Sequence, residues 1–524
     1  MTPEPVDLSG AEALLVTLVD AGVDTCFMNP GTSEMHFVKA LDTSEGMRGV
    51  LTLFEGVATG AADGYARIAR RPAAALLHLG PGLGNGYANL HNARRAHTPL
   101  VCIVGVHAAD HVGYDAPLQL EVEAIARTLD GWVRTSGTSR SLPVDAARAV
   151  AASQSNGGQI ATLIVPADAS WKTGANPAAP RPVPVRTPSP AAACDIAAEW
   201  LREGASTLLL LGGPALDEPA VLAADAIRAA TGASVLVETF PSRVDQGGDL
   251  PSFDRIPYLP EMADAKLAGI EKIVLVGAAA PATFFGYPGR SGDLVGERPL
   301  LPLCDVTHDV AATLQGLAEA LDAPPTGPAE RAVAPEVSPG ESLDVMSLVQ
   351  VVAATLPEGA IVVDELNTSG LGLPAALKSA PRHSLLTLTG GAIGQGMPVA
   401  TGAALAAPAR RVFSLEADGS AAYTIQSLWT QARENLRVTT VLVNNAAYAI
   451  LRMELQRTGA GAPGTKARAM LDLDSPVLDF TAISTGFGVP ARRVTTTTEL
   501  QEALAEAERT DGPFLIEAIV PAIA

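Results

Sequence analysis

The sequence predicts an α/β protein of three domains, each a parallel sheet covered by helices. Three observations carry that reading. Short apolar runs, among them 73–79, 100–106, 161–165, 208–211, 273–276 and 361–363, alternate with longer helix-like segments, the pattern of parallel sheets buried on both faces. Two proline-rich stretches without apolar periodicity, 172–191 and 323–342, read as extended linkers and leave blocks 1–171, 192–322 and 343–524. The third block holds a clear strand, helix, strand unit over 411–450.

Composition narrows the functional classes. With 36 basic and 56 acidic residues the net charge is −20, which argues against nucleic acid or an anionic membrane as partner. Cys26, Cys102, Cys194 and Cys304 are far apart and show no metal-ligand spacing, as expected in a reducing cytosol. The first residues contain no basic region followed by an apolar core, and no uncharged apolar run reaches the ~20 residues of a membrane helix. A soluble cytoplasmic protein is expected.

The chemistry concentrates at predicted strand ends. In the 411–450 unit the first strand ends in Asp418-Gly419-Ser420 and the second in Asn444-Asn445. Parallel strands end side by side, so Asp418 and Asn445 meet at one carboxyl edge, where open α/β sheets bind ligands. A carboxylate and an amide oxygen suit a hard cation such as Mg²⁺, and the backbone carbonyl of Ala447 can add a third oxygen. Gly419 lets the backbone approach a diphosphate, to which the Ser420 hydroxyl and the amides of the next helix can donate.

In the first block, 28–34 (MNPGTSE) reads as a turn into a helix capped by Thr32 or Ser33. Glu55 opens a helix of small and apolar residues, with no basic residue three or four positions on. His78 closes a strand before a glycine-rich turn containing Gly82 and Asn85. His107 and His111 have i, i+4 spacing, but nothing completes a zinc site.

Asp418-Gly419-Ser420 followed by Asn444-Asn445 resembles the cofactor motif of thiamine diphosphate enzymes, with Ala417 in place of the usual first glycine. The segment 55–67, a glutamate followed by small residues and Gly64-Tyr65-Ala66, resembles the glutamate helix of the same superfamily, which includes acetolactate synthase large subunits and benzoylformate decarboxylases. The resemblance implies a pyrimidine-binding domain, a Rossmann-like middle domain and a diphosphate-binding domain, with thiamine diphosphate and Mg²⁺ as cofactors. It implies that Glu55 is catalytic, sharing a proton with N1′ of the aminopyrimidine, and that His78 faces substrate. Asn29, Pro30, Gly31, Gly82 and Asn85 then line the cofactor from the first domain. Asn367, Thr368, Gly391, Ile393, Gly419, Ser420 and Tyr448 contact it from the third, Ile393 as the apolar wedge that holds it bent. Thr32 and Gln119 are candidate substrate contacts, and 451–473 is a candidate lid.

In the middle block, strands before Gly212-Gly213 and Gly277 have the look of a nucleotide fold, but neither loop gives a full G-x-G-x-x-G with an acidic residue at the expected distance. Residues 277–287 also lack the Arg-Phe-Asp-Asp segment of flavin-containing acetolactate synthases, which speaks against FAD, and the second catalytic histidine of benzoylformate decarboxylase. The expected activity is decarboxylation of a small 2-oxo acid with transfer of the active aldehyde to a second carbonyl. The alternatives are a benzoylformate-type decarboxylase releasing an aldehyde and a non-catalytic scaffold of the same fold. The superfamily's split site implies a homodimer or homotetramer.

Overall fold

The computed structural model describes residues 7–521. Three parallel sheets follow one another along the chain. The first has six strands in the order Arg48–Leu51, Thr25–Met28, Ala73–His78, Leu100–Val106, Ile160–Pro166 and Trp132–Thr135. Its central strands are buried from end to end, as the continuous apolar runs require when helices cover both faces. The helix Gly10–Asp20 packs on it and starts at a capping box, in which Ser9 and Glu12 each take the other's backbone amide.

The middle sheet has five strands, ordered Asp254–Arg255, Ser234–Val237, Thr207–Leu211, Lys272–Val276 and Leu300–Cys304, all parallel. The third has seven, ordered Arg243–Gln246, His383–Thr387, Ala360–Glu365, Val412–Ala417, Val438–Asn444, Phe514–Ile519 and Ala491–Val494. Its first strand belongs to the middle block by sequence and runs antiparallel at the sheet edge. Only Val244 of that strand is apolar and buried, so no local pattern announces it. The 172–191 stretch likewise begins with a strand, Thr173–Ala175, paired with Leu8–Ser9, before running irregularly to the helix Ala191–Leu201. The 323–342 stretch holds no helix or strand.

Two features position the site. Val412–Ala417 and Val438–Asn444 are neighbours with Ala417 opposite Val443, so Asp418 and Asn445 emerge at one edge. The helices Glu55–Ala69 and Gly396–Ala406 cross backbone to backbone: a Cβ on Gly402 would stand 1.8 Å from the Ala61 carbonyl oxygen, and one on Gly64 2.1 Å from that of Val399. Beside this crossing, a buried Arg67–Asp63 ion pair ties the first helix to the Thr387 carbonyl, Thr389 and Gln395. Among the described residues no helix is long and apolar enough to cross a membrane.

Candidate active site

The strand Val412–Ala417 passes directly into the helix Asp418–Thr424. The Asp418 carboxylate is buried and accepts only backbone amides: Oδ1 from Gly419 (2.7 Å), Oδ2 from Asn445 (3.1 Å) and Ala446 (2.7 Å). Burial raises its pKa above the usual range, and the amides offset this only in part. No basic side chain pairs with it among the described residues. A buried carboxylate without a counter-charge, beside the Asn445 amide, fits a hard cation. The Asn445 Oδ1 accepts from the Ala447 amide (3.0 Å), and a positive φ at Ala446 lets the chain double back. Among the described residues no group of three His, Cys, Asp or Glu side chains could hold a metal, so a cation here rests on one carboxylate plus amide and carbonyl oxygens.

The Tyr448 ring lies on Gly419, where a Cβ would come within 2.4 Å of it, so this glycine serves close approach of an aromatic side chain as well as any ligand. Asn367, at positive φ, donates to the Ser420 hydroxyl (2.9 Å), and Thr368 is buried beside it.

A second group gathers at the edge of the first sheet. Glu55, buried at its helix start, accepts from the Asn85 side chain (3.0 Å), and Gly82 stands against its other oxygen. His78 Nδ1 is 2.8 Å from Glu34 Oε2, which also accepts the Gly31 amide (2.8 Å). With Nδ1 donating to Glu34, Nε2 is left for another partner. Gly31 has no room for a side chain because the His78 ring fills it, at 2.3 Å from a would-be Cβ. The expected cap at Thr32 or Ser33 does not form: a 3₁₀ turn Thr32–Glu34 follows Gly31, and Glu34 supplies the cap while holding His78. Asn29 and Pro30 are half-buried just before it, and Thr32 is exposed.

The glycine-rich turn expected after His78 is instead a helix, Leu79–Arg95. Its glycines answer packing: Gly80 faces Leu120, Gly82 faces Glu55 and Gly86 faces Thr59. The Leu120 contact places the loop holding half-buried Gln119 at the same end of this helix. Asn85, Asn89 and Asn92 recur at i, i+4 and i+7, a polar stripe that could have been read from the sequence as one helix face.

That stripe ties the second group to residues 392–394 of the third domain. Asn85 binds Glu55, Asn89 donates to the carbonyl oxygens of Gly56 (2.8 Å) and Gly394 (3.1 Å), and Asn92 exchanges bonds with the Ala392 backbone (2.8 and 3.2 Å). Half-buried Ile393 therefore sits in a segment held from the first domain, while the Phe284 ring packs on Gly391. Glu365 takes the amides of Gly394 (2.7 Å) and Gly396, and stands beside Glu416 on the next strand. Burial, then the neighbouring Glu365, drives the Glu416 carboxyl well above its usual range. Glu34, Asn89, Asn92 and Glu365 were not singled out from sequence. Within one chain the two groups stay apart: among the described residues no hydrogen bond joins Glu55 or His78 to Asp418 or Asn445.

The middle sheet faces a cavity of about 1180 Å³ whose lining includes Arg95, Arg186, Gly213, Glu238 and Tyr258. Glu238 directly follows the strand Ser234–Val237 and accepts the Gly213 amide (2.8 Å), so an acidic residue does stand past a strand end although the glycine pattern is incomplete. Burial pushes its carboxyl up to about 7.

Comparison with known proteins agrees with this geometry. Family models described as the N-terminal and C-terminal TPP binding domains of thiamine pyrophosphate enzymes match residues 8–127 and 360–518. A Mycobacterium tuberculosis protein with the provisional name acetolactate synthase large subunit IlvX is 53% identical over 98% of this chain and 100% of its own length. Benzoylformate decarboxylase of Pseudomonas aeruginosa is 30% identical over 95% of this chain and 96% of its own. The solved structure of a Rhodococcus jostii thiamine diphosphate-dependent 4-hydroxybenzoylformate decarboxylase superposes with a TM-score of 0.83 at 26% identity, covering 98% of this chain and 100% of that one. These family models and relatives show that the chain belongs to the thiamine pyrophosphate enzyme family.

Proposed function

We propose that the chain is a thiamine diphosphate- and Mg²⁺-dependent carboligase of acetolactate synthase type, which decarboxylates a 2-oxo acid such as pyruvate and transfers the remaining aldehyde unit to a second carbonyl. The observation that carries the reading is the pair of groups, Asp418 buried at one sheet edge with only backbone amides as partners among the described residues, and Glu55 in a glycine-lined recess at the other. When bound, thiamine diphosphate supplies a carbanion nucleophile and an electron sink. Asp418, Asn445 and the Ala447 carbonyl would hold the cation, and Ser420, Asn367 and Thr368 would bind the diphosphate. With the cofactor bound, Glu55 would hold a proton at N1′ of the aminopyrimidine and Ile393 would supply apolar bulk beside it. His78, oriented by Glu34, presents Nε2 to the substrate.

The balance between ligation and release rests on proton donors. In the loop 277–287, Phe284 and Phe285 are exposed and no acid is present. His91 is tied to the Gly390 carbonyl (3.1 Å), and His78, with Nδ1 on Glu34, offers only Nε2. General acid help is worth about 10²–10⁴-fold, so sparse donors favour attack on a second carbonyl over protonation. One observation favours a second reading: the rings of Phe284 and Phe285 beside Gly391 suit an aromatic 2-oxo acid that is decarboxylated to its aldehyde.

Both half-sites lie on edges with exposed apolar side chains, Leu53 and Tyr114 at the first, Leu371, Tyr423 and Met470 at the second. A second copy set edge to edge covers both and completes a shared pocket, giving a homodimer that can double to a tetramer. Four free, buried cysteines suit the cytosol.

The test is product identification after incubation with thiamine diphosphate, Mg²⁺ and either pyruvate or benzoylformate. A 2-hydroxy ketone or acetohydroxyacid is expected, and Glu55→Gln should lower turnover at least ~10²-fold while the cofactor still binds. Benzaldehyde without any ligated product overturns the carboligase reading, and unchanged turnover in Glu55→Gln removes Glu55 from the mechanism.

A further inference from the structure

We infer that the side chain of Glu365, whose carboxyl oxygens take the backbone amides of Gly394 and Gly396, is a positioning group that sets Ile393 by pinning the Gly394 peptide. The inference rests on the reading that thiamine diphosphate binds beside Ile393.

The Gly394 peptide is held on both faces. Its N–H donates to Glu365 Oε1 (2.7 Å), and its carbonyl oxygen accepts from Asn89 Nδ2 (3.1 Å) and Thr424 Oγ1 (3.0 Å). The three partners come from the end of the strand Ala360–Glu365, the helix Leu79–Arg95 and the helix Asp418–Thr424. Two residues on, the Gly396 amide donates to the other carboxylate oxygen, Oε2. One buried carboxylate thus fixes two amides on the C-terminal side of Ile393. Gly394 has φ +89°, a conformation open to glycine, so the segment has little stiffness of its own. Gly396 has no space for drift either: a Cβ there would stand 2.3 Å from Glu416 Oε2 and 3.0 Å from Glu365 Cβ.

A carboxylate can accept at both oxygens, whereas a glutamine offers one acceptor and turns an N–H₂ toward the remaining amide. Glu365→Gln therefore unpins one of the two amides while keeping the volume of the side chain. Hydrogen exchange of the cofactor-free protein should show the amides of 390–396 exchanging about 10- to 100-fold faster in Glu365→Gln than in wild type, the loss expected for a hydrogen bond to a charged group. In the loaded enzyme kcat should fall about 10-fold or more with KM changed less than about threefold. Ile393→Ala should give a similar loss, and the double variant should be within about twofold of the worse single, because Glu365 acts through Ile393. A role in stability alone predicts instead a lowered melting temperature and losses that multiply.

Unchanged amide exchange, kcat within twofold of wild type, or multiplying losses overturns the assignment. If Glu365→Gln does not fold, Glu365→Asp, which keeps both acceptor oxygens on a shorter stem, is measured in the same way and must show the same pattern. Calorimetry of wild type with thiamine diphosphate separates the two levels. Wild-type binding with an unaffected Glu365→Gln sinks the Glu365 assignment alone, whereas absence of wild-type binding sinks the cofactor reading and the Ile393 role with it.

Discussion

Replacing Gly402 by alanine tests whether the crossing of the helices Glu55–Ala69 and Gly396–Ala406 governs the site. The added methyl would sit 1.8 Å from the Ala61 carbonyl oxygen and 2.6 Å from the Tyr65 amide nitrogen, both backbone atoms that no rotamer change can move. Close carbon–oxygen contacts in proteins start near ~3.3 Å. The helices must therefore separate by more than ~1 Å, or the Glu55 helix must slide along its partner. Overpacking of this kind costs about 1–3 kcal/mol, and the strain falls also on the buried Arg67–Asp63 pair and its bond to Gln395. For domains of this size that corresponds to a melting temperature lower by about 3–10 °C. The functional effect should be larger in proportion, since a misplacement of ~1 Å can cost ~10²-fold in turnover. The assay is a thermal melt together with kcat of the folded fraction. Gly316→Ala is the control: Gly316 lies within the helix Val310–Ala320 with nothing within 4 Å of its would-be Cβ, so it should gain ~0.5–1 kcal/mol. A Gly402→Ala variant that melts within a degree of wild type and keeps its turnover refutes the idea that this crossing sets the distance between Glu55 and the Ile393 segment.

Two further outcomes follow from charges. Lys266 and Lys378 hold the half-exposed Asp254 carboxyl down at about 2. A depressed acid stabilises the fold above its unfolded pKa of ~3.9 and loses that contribution as the pH falls through about 2. After solvent screening, Asp254→Asn should cost ~0.5–1 kcal/mol at pH 7 in low salt, and the gap to wild type should close in high salt and between pH 4 and 2; melts showing a gap independent of both contradict this. Glu34→Gln should lower turnover ~10-fold by removing the charged partner of His78, and His78→Ala should add little to it. Multiplying losses in the kinetics of the double variant would place Glu34 outside the orientation of His78.

Which parts of this were legible in the sequence depends on the range of the forces involved. The unit that carries Asp418 and Asn445 was visible because two apolar runs, a loop signal and strand pairing all act within 40 residues. Glu55 stood out only through the resemblance of 55–67 to a glutamate helix, because by itself an acid at a helix start does no more than satisfy the helix dipole. The helix Leu79–Arg95 was misread as a turn because its glycines obey neighbours that are distant in sequence, Leu120 among them. Glu34 reads as an ordinary first-turn acid, and only the fold brings His78 to it across 44 positions. Glu365 and Glu416 look like stray acids in two strands. Their opposition is a matter of register, which tertiary packing decides.

The segment 389–396, TGGAIGQG, shows what such long-range bonds achieve. Four glycines in eight residues make it the kind of chain that loses most entropy on ordering. Ile393 is its one bulky apolar residue, so the segment presents a single wedge on an otherwise slender backbone. A stiffer sequence would need side chains, and there is no room for them: the Phe284 ring fills the space at Gly391, His91 and Asn92 that at Gly390, and Tyr423 that at Gly394. Order has to come from outside, and it does, through His91, Asn92, Asn89, Thr424 and Glu365, each bonding the segment's backbone. At roughly 1 kcal/mol net per bond, more for the carboxylate, the bonds from these residues are of the same order as the backbone entropy of a few residues. They are enough to hold the wedge and its neighbours, and three of the five come from the helix that also carries Asn85 to Glu55. Whatever shifts that helix must therefore disturb Glu55 and the Ile393 segment together.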